Sequence, residues 1–359
     1  MKKSFQIKNL TLSKSLVIML SLITFGSCQV EEDNDIVEPL NTSARQQKKT
    51  VNLSVMSYNI FQLPSTAAFF GQAGTTYKEY ERSEAFNLVF QQRERVGETP
   101  DVLAIQEGFN TFFDNVIRSQ TIKKIYPYRT RLLGQVCDDN VSGNCGSFAT
   151  HIDARYTNGG LIIFSKYPIE KRAEHVWTDE AREYATYEGF ANKGVTYAAI
   201  RKDGELFHIF NTHTNSEQPK YPATAIRKGQ FNQMITFKNK LNIPASEPVI
   251  YLGDMNLEND KEKRDMESIL SAKVNFTFHP DADGTYSYNN TVVKNTYHTH
   301  AVADLTYNKV LDYILYSTDH KLPEGDPRMK ITYLQSHNHP YKGDLSDHNP
   351  VITDFTFTY

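Results

Sequence analysis

The sequence predicts an α/β protein built as a layered sandwich, and three observations carry that prediction. Eight short segments rich in Val, Ile, Tyr and Phe read as strands. Only two long stretches carry a helical period, too few to cover both faces of a doubly wound parallel sheet. Aromatic residues reach 12%, with 21 Tyr and 21 Phe against one Trp, a bias that suits pleated, half-buried faces.

The elements follow in chain order. Lys2, Lys3, Lys8 and Lys14 precede the apolar run Leu16 to Phe25, and Gly26, Ser27 and Cys28 come next. The run is shorter than the roughly 20 residues that cross a bilayer, and its basic, apolar, small-residue order is that of a secretory signal. Cys28 directly after small residues resembles the lipobox of bacterial lipoproteins, with Phe25 where Leu is usual. That resemblance implies removal of residues 1–27 and acylation of Cys28; the alternative is a plain signal peptide with an incidental thiol. Residues 28–50 are polar without an apolar period and read as a flexible tether. Their acidic run Glu31-Glu32-Asp33 resembles the export tag of some surface-exposed lipoproteins. An outer-membrane or cell-surface lipoprotein is expected, or a secreted protein.

From residue 51 to 359 no repeat or second linker interrupts the chain, so one catalytic domain is expected. Strands are expected at 53–60, 102–106, 160–165, 195–200, 206–212, 249–253, 311–316 and 351–358. One helix is expected from Tyr80 to Val96, burying Ala85, Val89, Gln92 and Val96 with Phe86 nearby. A second is expected from Ala223 to Leu241, burying Phe231, Met234, Ile235 and Leu241. Cys137 and Cys145 flank a short loop and, in an exported protein, form a candidate disulfide.

Composition narrows function. At 39% hydrophobic and 23% charged, the 359 residues exclude a disordered or collagen-like chain. The formal charge is −3; without residues 1–27, which hold four Lys and no acid, 35 basic residues face 42 acidic ones, net −7. Such a balance argues against a protein that grips nucleic-acid backbones.

Chemistry-bearing residues recur at strand ends: Asn59, Glu107, His213, Asp254 with Asn256, Asp312, and Asp347 with His348. Taken singly, each has a bland reading as a solvated carboxylate, a loop histidine or an Asx-turn. If the ends converge, they build a site of carboxylate and amide oxygens with two imidazoles. Such oxygen-rich donors suit Mg²⁺, Mn²⁺ or Ca²⁺ rather than Zn²⁺, and a hard cation suits attack of water on a phosphodiester.

In order, SYNIF, DVLAIQEGF, GGLIIFSKYPI, FNTHTN, VIYLGDMN, LDYIL and DLSDHNPV resemble the motif ladder of the endonuclease/exonuclease/phosphatase superfamily. Within it, NGGLIIFSKYPI, THTNSEQ with Arg227-Lys228-Gly229-Gln230, GTYSYNNTV and DLSDHNPV are most similar to bacterial neutral sphingomyelinases. KVLDYIL stands where inositol polyphosphate 5-phosphatases carry Trp-Cys-Asp-Arg, which disfavours that branch. The resemblance implies a four-layer α/β/β/α sandwich of two mostly antiparallel sheets flanked by helices. It implies Glu107 as the main metal ligand, with Asn59 orienting it or the phosphate. Asp254 and Asn256 would hold the attacking water or a second metal, and Asp347 would lie beside the metal. His348 would be the general base and also adjoin the metal site, Asp312 its orienting partner, and His213 a donor to the phosphate. Mg²⁺ is the implied cofactor, with Mn²⁺ or Co²⁺ as substitutes.

The implied activity is sphingomyelin hydrolysis to ceramide and phosphocholine by a monomer that meets its lipid in membranes or micelles. A nuclease of the same superfamily is the alternative, and a lipid- or glycan-binding dead scaffold a third reading. Tyr156, Tyr184, Tyr187 and Tyr288 are unranked candidates for a choline cage, and His298 and His300 read as loop residues. Secreted members carry an apolar hairpin just before DLSDH that dips into the membrane. Here Leu334 to Gly343 has Tyr341 as its only aromatic, so a weak or missing insertion device is expected.

Overall fold

All eight apolar segments lie in strands, with boundaries within three residues of those expected. The computed structural model describes residues 48–63, 78–109, 112–134, 158–178, 187–217, 223–276, 288–289, 308–337 and 340–359. The first half of the chain forms β1 (Thr50–Gln62), α1 (Glu79–Arg95), β2 (Val102–Gly108), α2 (Phe113–Ile117), α3 (Gln120–Ile125), β3 (Tyr128–Arg129), β4 (Ile162–Ser165) and β5 (Ile169–Val176). Then come β6 (Gly194–Lys202), β7 (Glu205–His213), α4 (Ala223–Lys240), β8 (Val249–Asp254), α5 (Asp260–Leu270), β9 (Ala272–Lys273), β10 (Tyr288–Asn289) and β11 (Asn308–Lys309). The last strands are β12 (Asp312–Ser317), β13 (Lys330–Ile331), β14 (Gln335–Ser336), β15 (Gly343–Asp344) and β16 (Val351–Thr358).

Two large sheets result, in the orders β13-β16-β1-β2-β4-β3 and β5-β6-β7-β8-β12-β9. Each contains one parallel neighbour pair, β1/β2 in the first and β7/β8 in the second. Their other neighbours run antiparallel. Parallel neighbours need a crossover, and the two long helices supply it: α1 joins β1 to β2, and α4 joins β7 to β8. Period-2 alternation sorts the first sheet's side chains. Val51, Leu53, Val55, Val102 and Ala104 face the second sheet in one core with Phe207, Ile209 and Ile250. Met56, Tyr58, Ile60, Leu103 and Ile105 face α1 in another, with Phe86 and Phe90.

Several expectations need correction. In α1 the buried face is Arg82, Ala85, Phe86, Val89 and Phe90, while Gln92 is exposed and Val96 is 68% exposed as the C-cap. The face follows the residues that meet the sheet, one turn earlier than the apolar spacing alone suggested. In α4, Ile235 and Leu241 are only half-buried, and Phe237 is buried beside Phe231 and Met234. The tether does not reach residue 50, because Thr50 already pairs with Thr358. β5 escaped notice because IEKRAEHV is charge-rich, as suits a sheet edge. α5 was also missed, although Asn259 caps it by accepting from the Lys261 and Glu262 amides. Among the described residues no helix is long and apolar enough to cross a membrane.

Candidate active site

The carboxyl ends of the two parallel pairs carry the polar residues. Asn59 lies opposite Gln106, the neighbour of Glu107, and His213 lies opposite Asp254. Asp312, first residue of β12, pairs with Asp254 across the second sheet. The Gly253 position has φ +145°, and a Cβ there would come within 1.9 Å of the Thr212 carbonyl oxygen. Only glycine lets β8 approach β7 so closely just before Asp254. Glu107 and Asn256 adopt left-handed φ values of 58° and 48°, a strain that collects at functional positions.

The sequence-derived residues do converge. Asn59 Nδ2 donates to Asp254 Oδ2 at 3.0 Å, linking the two sheets, and Asn59 Oδ1 accepts from the Phe61 amide at 3.0 Å. Asn59 thereby orients the Asp254 carboxylate. Asp254 Oδ1 accepts from the Asn256 amide, and Asn256 Nδ2 donates to the Thr214 carbonyl. His348 Nδ1 donates to Asp312 Oδ2 at 2.7 Å, leaving Nε2 3.7 Å from Asp254 Oδ2. On the other flank His213 Nε2 lies 3.6 Å from the same oxygen. Ligand atoms of Glu107, His213 and Asp254 lie within 4.8 Å of one another, as do those of Asp254, Asp312 and His348.

Charge in this centre is out of balance. Burial, the Asp347 carboxylate and Asp254 push Glu107 up to about 8, against the opposing pull of His348 and Asn59. Burial and Asp312 push Asp254 up to about 7, and burial raises Asp347. Burial lowers His348, but Asp312, Asp254 and Asp347 outweigh it and hold the imidazole well above its usual range. Burial, then Lys193 and His348, hold His213 well below it. Glu107 Oε2 is sealed from solvent with no hydrogen-bond partner among the described residues. A buried carboxylate oxygen without a partner, beside a second carboxylate and a neutral imidazole, fits a hard divalent cation. His213 lies beside these carboxylates.

Sequence reasoning missed three supports. Lys193 is buried, pairs with buried Glu188, donates to the Thr214 carbonyl at 2.9 Å and lies 3.3 Å from His213 Nε2. With a neutral His213, the ammonium is the donor in that contact. The expected phosphate donor thus has a cation beside it, signalled in the sequence only by a Lys opening an apolar strand. Gln106 Nε2 donates to Asn211 Oδ1 at 2.7 Å, and Asn211 Nδ2 donates to the Ile105 and Ile162 carbonyls, so the sheets are clasped one step behind Glu107 and His213. Arg82 is the third. Cys28, Cys137, Cys145, Tyr156, Tyr184, His298 and His300 lie outside the described residues, as do the side chains of Tyr187 and Tyr288.

Fold and site together define a layered α/β protein organised around a buried cluster of carboxylates and imidazoles. Within that class the chain belongs to the Endonuclease/Exonuclease/phosphatase family, whose sequence pattern matches residues 56–348. It is 28% identical over 329 residues to Sphingomyelinase C 2 of Leptospira interrogans serovar Lai, covering 87% of this chain and 47% of that protein. It is 27% identical over 331 residues to a phospholipase C of Staphylococcus aureus, covering 87% of this chain and 89% of that one. The chain thus spans about half of the Leptospira relative's length. A crystal structure of S. aureus beta toxin with bound magnesium ions aligns at TM-score 0.64 and 26% identity, covering 84% of this chain and 99% of that one. Sphingomyelinase C of Streptomyces griseocarneus shares the fold at TM-score 0.64 and 24% identity, covering 85% and 99%.

Proposed function

We propose that the chain is a divalent-cation-dependent phosphodiesterase that hydrolyses a sphingophospholipid, with sphingomyelin to ceramide and phosphocholine as the leading reaction. The observation that carries this reading is the pairing of an unpartnered, buried Glu107 oxygen with the His348–Asp312 dyad across Asp254. The names of the relatives support the lipid class. Glu107 and Asp254, with His213 beside them, would hold Mg²⁺, replaceable by Mn²⁺ or Co²⁺, and the ion would supply Lewis-acid polarisation of a phosphoryl oxygen. His348, its Nδ1–H committed to Asp312, presents Nε2 to take the proton of the attacking water. Asp312 fixes that tautomer and stabilises the imidazolium. His348 acts as a base only when positive charge near Glu107 offsets the carboxylates that hold it protonated. Asn59 and Asn256 keep Asp254 aimed into the centre, and Asp347 keeps negative charge beside Glu107. Lys193 brings positive charge to the His213 flank, where negative charge on the phosphate grows in the transition state.

The test is an assay of purified protein with Mg²⁺ against sphingomyelin vesicles and supercoiled DNA, with an EDTA arm. Ceramide release abolished by EDTA supports the reading; DNA nicking without ceramide release makes the chain a nuclease, and activity in excess EDTA refutes the metal role.

The route to lipid follows from the same residues. β14 and β15 form a short hairpin, but Tyr341 is 4% exposed, donates to the Asp344 carbonyl and packs in the core under α1. Among the described residues of this hairpin no aromatic is left to enter a bilayer. We infer that acylated Cys28 and its tether hold the enzyme at a membrane instead, two or three acyl chains sufficing for stable anchoring. Radiolabelled palmitate should enter the wild type and not Cys28→Ala. Strong vesicle binding by unacylated protein would sink this idea.

A further inference from the structure

Arg82 is among the largest fully buried side chains of the described protein, 2% exposed on the inner face of α1. A guanidinium is removed from water only where its donors find partners. Here they find three backbone carbonyls: Nη1 donates to Ile60 and to Leu345, both at 3.0 Å, and Nη2 donates to Phe61. The Phe61 ring lies against the guanidinium, 5.3 Å from its carbon.

Those carbonyls belong to two segments that matter. Ile60 and Phe61 directly follow Asn59, and Phe61 turns through a left-handed φ of 50° while its amide donates to Asn59 Oδ1. Leu345 directly precedes Ser346, Asp347 and His348. No strand ladder joins the two segments. The pairing of β1 with β16 ends at Ser57 opposite Val351, and the pairing of β1 with β2 shifts register between Asn59 and Gln62. Two devices hold them instead. One is Arg82; the other is Ser346, whose Oγ donates to the Asn59 carbonyl at 2.7 Å and accepts from the His348 amide at 3.1 Å.

We infer that Arg82 is a positioning residue for the reaction: its planar guanidinium fixes the Asn59 turn relative to the His348 loop, and so sets the base against Asp254. The inference rests on the phosphodiesterase reading. Arginine is needed because one planar fork reaches three carbonyls at once; lysine keeps the charge, but its three donors radiate from a single nitrogen and cannot span the same carbonyls.

The experiment uses the full chain as wild type, Arg82→Lys and Ser346→Ala, at saturating Mg²⁺. Substrates are bis(p-nitrophenyl) phosphate and sphingomyelin vesicles, near-UV circular dichroism gives the folded fraction, and calorimetric titration gives Mg²⁺ affinity. Per folded molecule, kcat of Arg82→Lys should fall roughly 10–100-fold, the usual cost of losing a residue that orients a site. KM should stay near wild type, Mg²⁺ affinity should fall less than kcat, and the acidic limb of the kcat–pH profile should move because the base is displaced. A loss of activity equal to the unfolded fraction, or wild-type kcat with an unmoved profile, overturns the inference. Ser346→Ala leaves the buried guanidinium in place and should lower kcat less, with only a modest fall in melting temperature. If Arg82→Lys does not fold, wild-type kcat in Ser346→Ala overturns the inference by itself. A wild type inert toward both substrates fails the phosphodiesterase reading; an active wild type with unimpaired variants fails only the role of Arg82.

Discussion

Two histidines flank Asp254 Oδ2, His213 at 3.6 Å and His348 at 3.7 Å, both almost fully buried. Yet their proton affinities are driven in opposite directions. Desolvation lowers both. On the His348 flank Asp312 is hydrogen-bonded to Nδ1, and Asp254 and Asp347 add to its hold. On the His213 flank the nearest charge is the Lys193 ammonium, itself paired with Glu188. The contrast teaches that burial does not set the role of an imidazole here; the sign of the charge behind it does. One flank makes a proton acceptor that can be stabilised as a cation, and the other makes a neutral ligand or donor.

The largest effect should come from removing the acceptor. His348→Ala should lower turnover by at least roughly 10²–10⁴, the usual share of general acid–base catalysis, in folded protein. Wild-type turnover would break the comparison at its root. Asp312→Asn should cost less if the carboxylate orients the ring and stabilises its charge, so a loss equal to that of His348→Ala would mean Asp312 does more.

On the other flank Lys193→Met leaves Glu188 buried without its cation, which should cost about 3–5 kcal/mol of stability. It should also raise the His213 pKa, read by NMR titration, because one of the two positive neighbours has gone. An unmoved His213 would show that desolvation alone keeps it neutral.

Glu107→Gln should raise the Mg²⁺ concentration for half-maximal binding by about tenfold or more, since a charged oxygen ligand becomes neutral. Calorimetry checks it, and an unchanged affinity would move the cation away from Glu107.

The smallest effect is on pH dependence. Glu107 and Asp254 are held at about 8 and about 7, above their unfolded values. A raised carboxylate contributes stability that is complete below its unfolded pKa and is lost as pH climbs through the folded value. Metal-free protein should therefore melt at a lower temperature at pH 8.5 than at pH 6. Mg²⁺ should bind more tightly and stabilise more at pH 8.5, because at pH 6 it must displace protons. A Mg²⁺-induced shift in melting temperature that is independent of pH would refute the charge imbalance.

Sequence alone determined eight of the strands and the polar residues at their ends. Apolar runs such as VLAIQ and VIYLG are local signals, and Glu107 and Asp254 stand out because a carboxylate ends each one. It also determined that two long helices would be present, since amphipathic period needs no knowledge of the partner, although it misplaced the buried face of α1. What it left undecided depends on contacts between distant segments. Lys193, Arg82, Gln106 and Asn211 look like ordinary polar positions of a strand or helix until the sheets close over them. Their hydrogen-bond partners described above lie 20 to 263 positions away in the chain. Tyr341 looked exposed in a polar stretch, and only the packing of β14 and β15 beneath α1 turned it inward. Whether a histidine becomes base or ligand was likewise decided by tertiary structure, because the charge that tunes it arrives from another strand: Asp312 on β12 for His348, and Lys193, just ahead of β6, for His213.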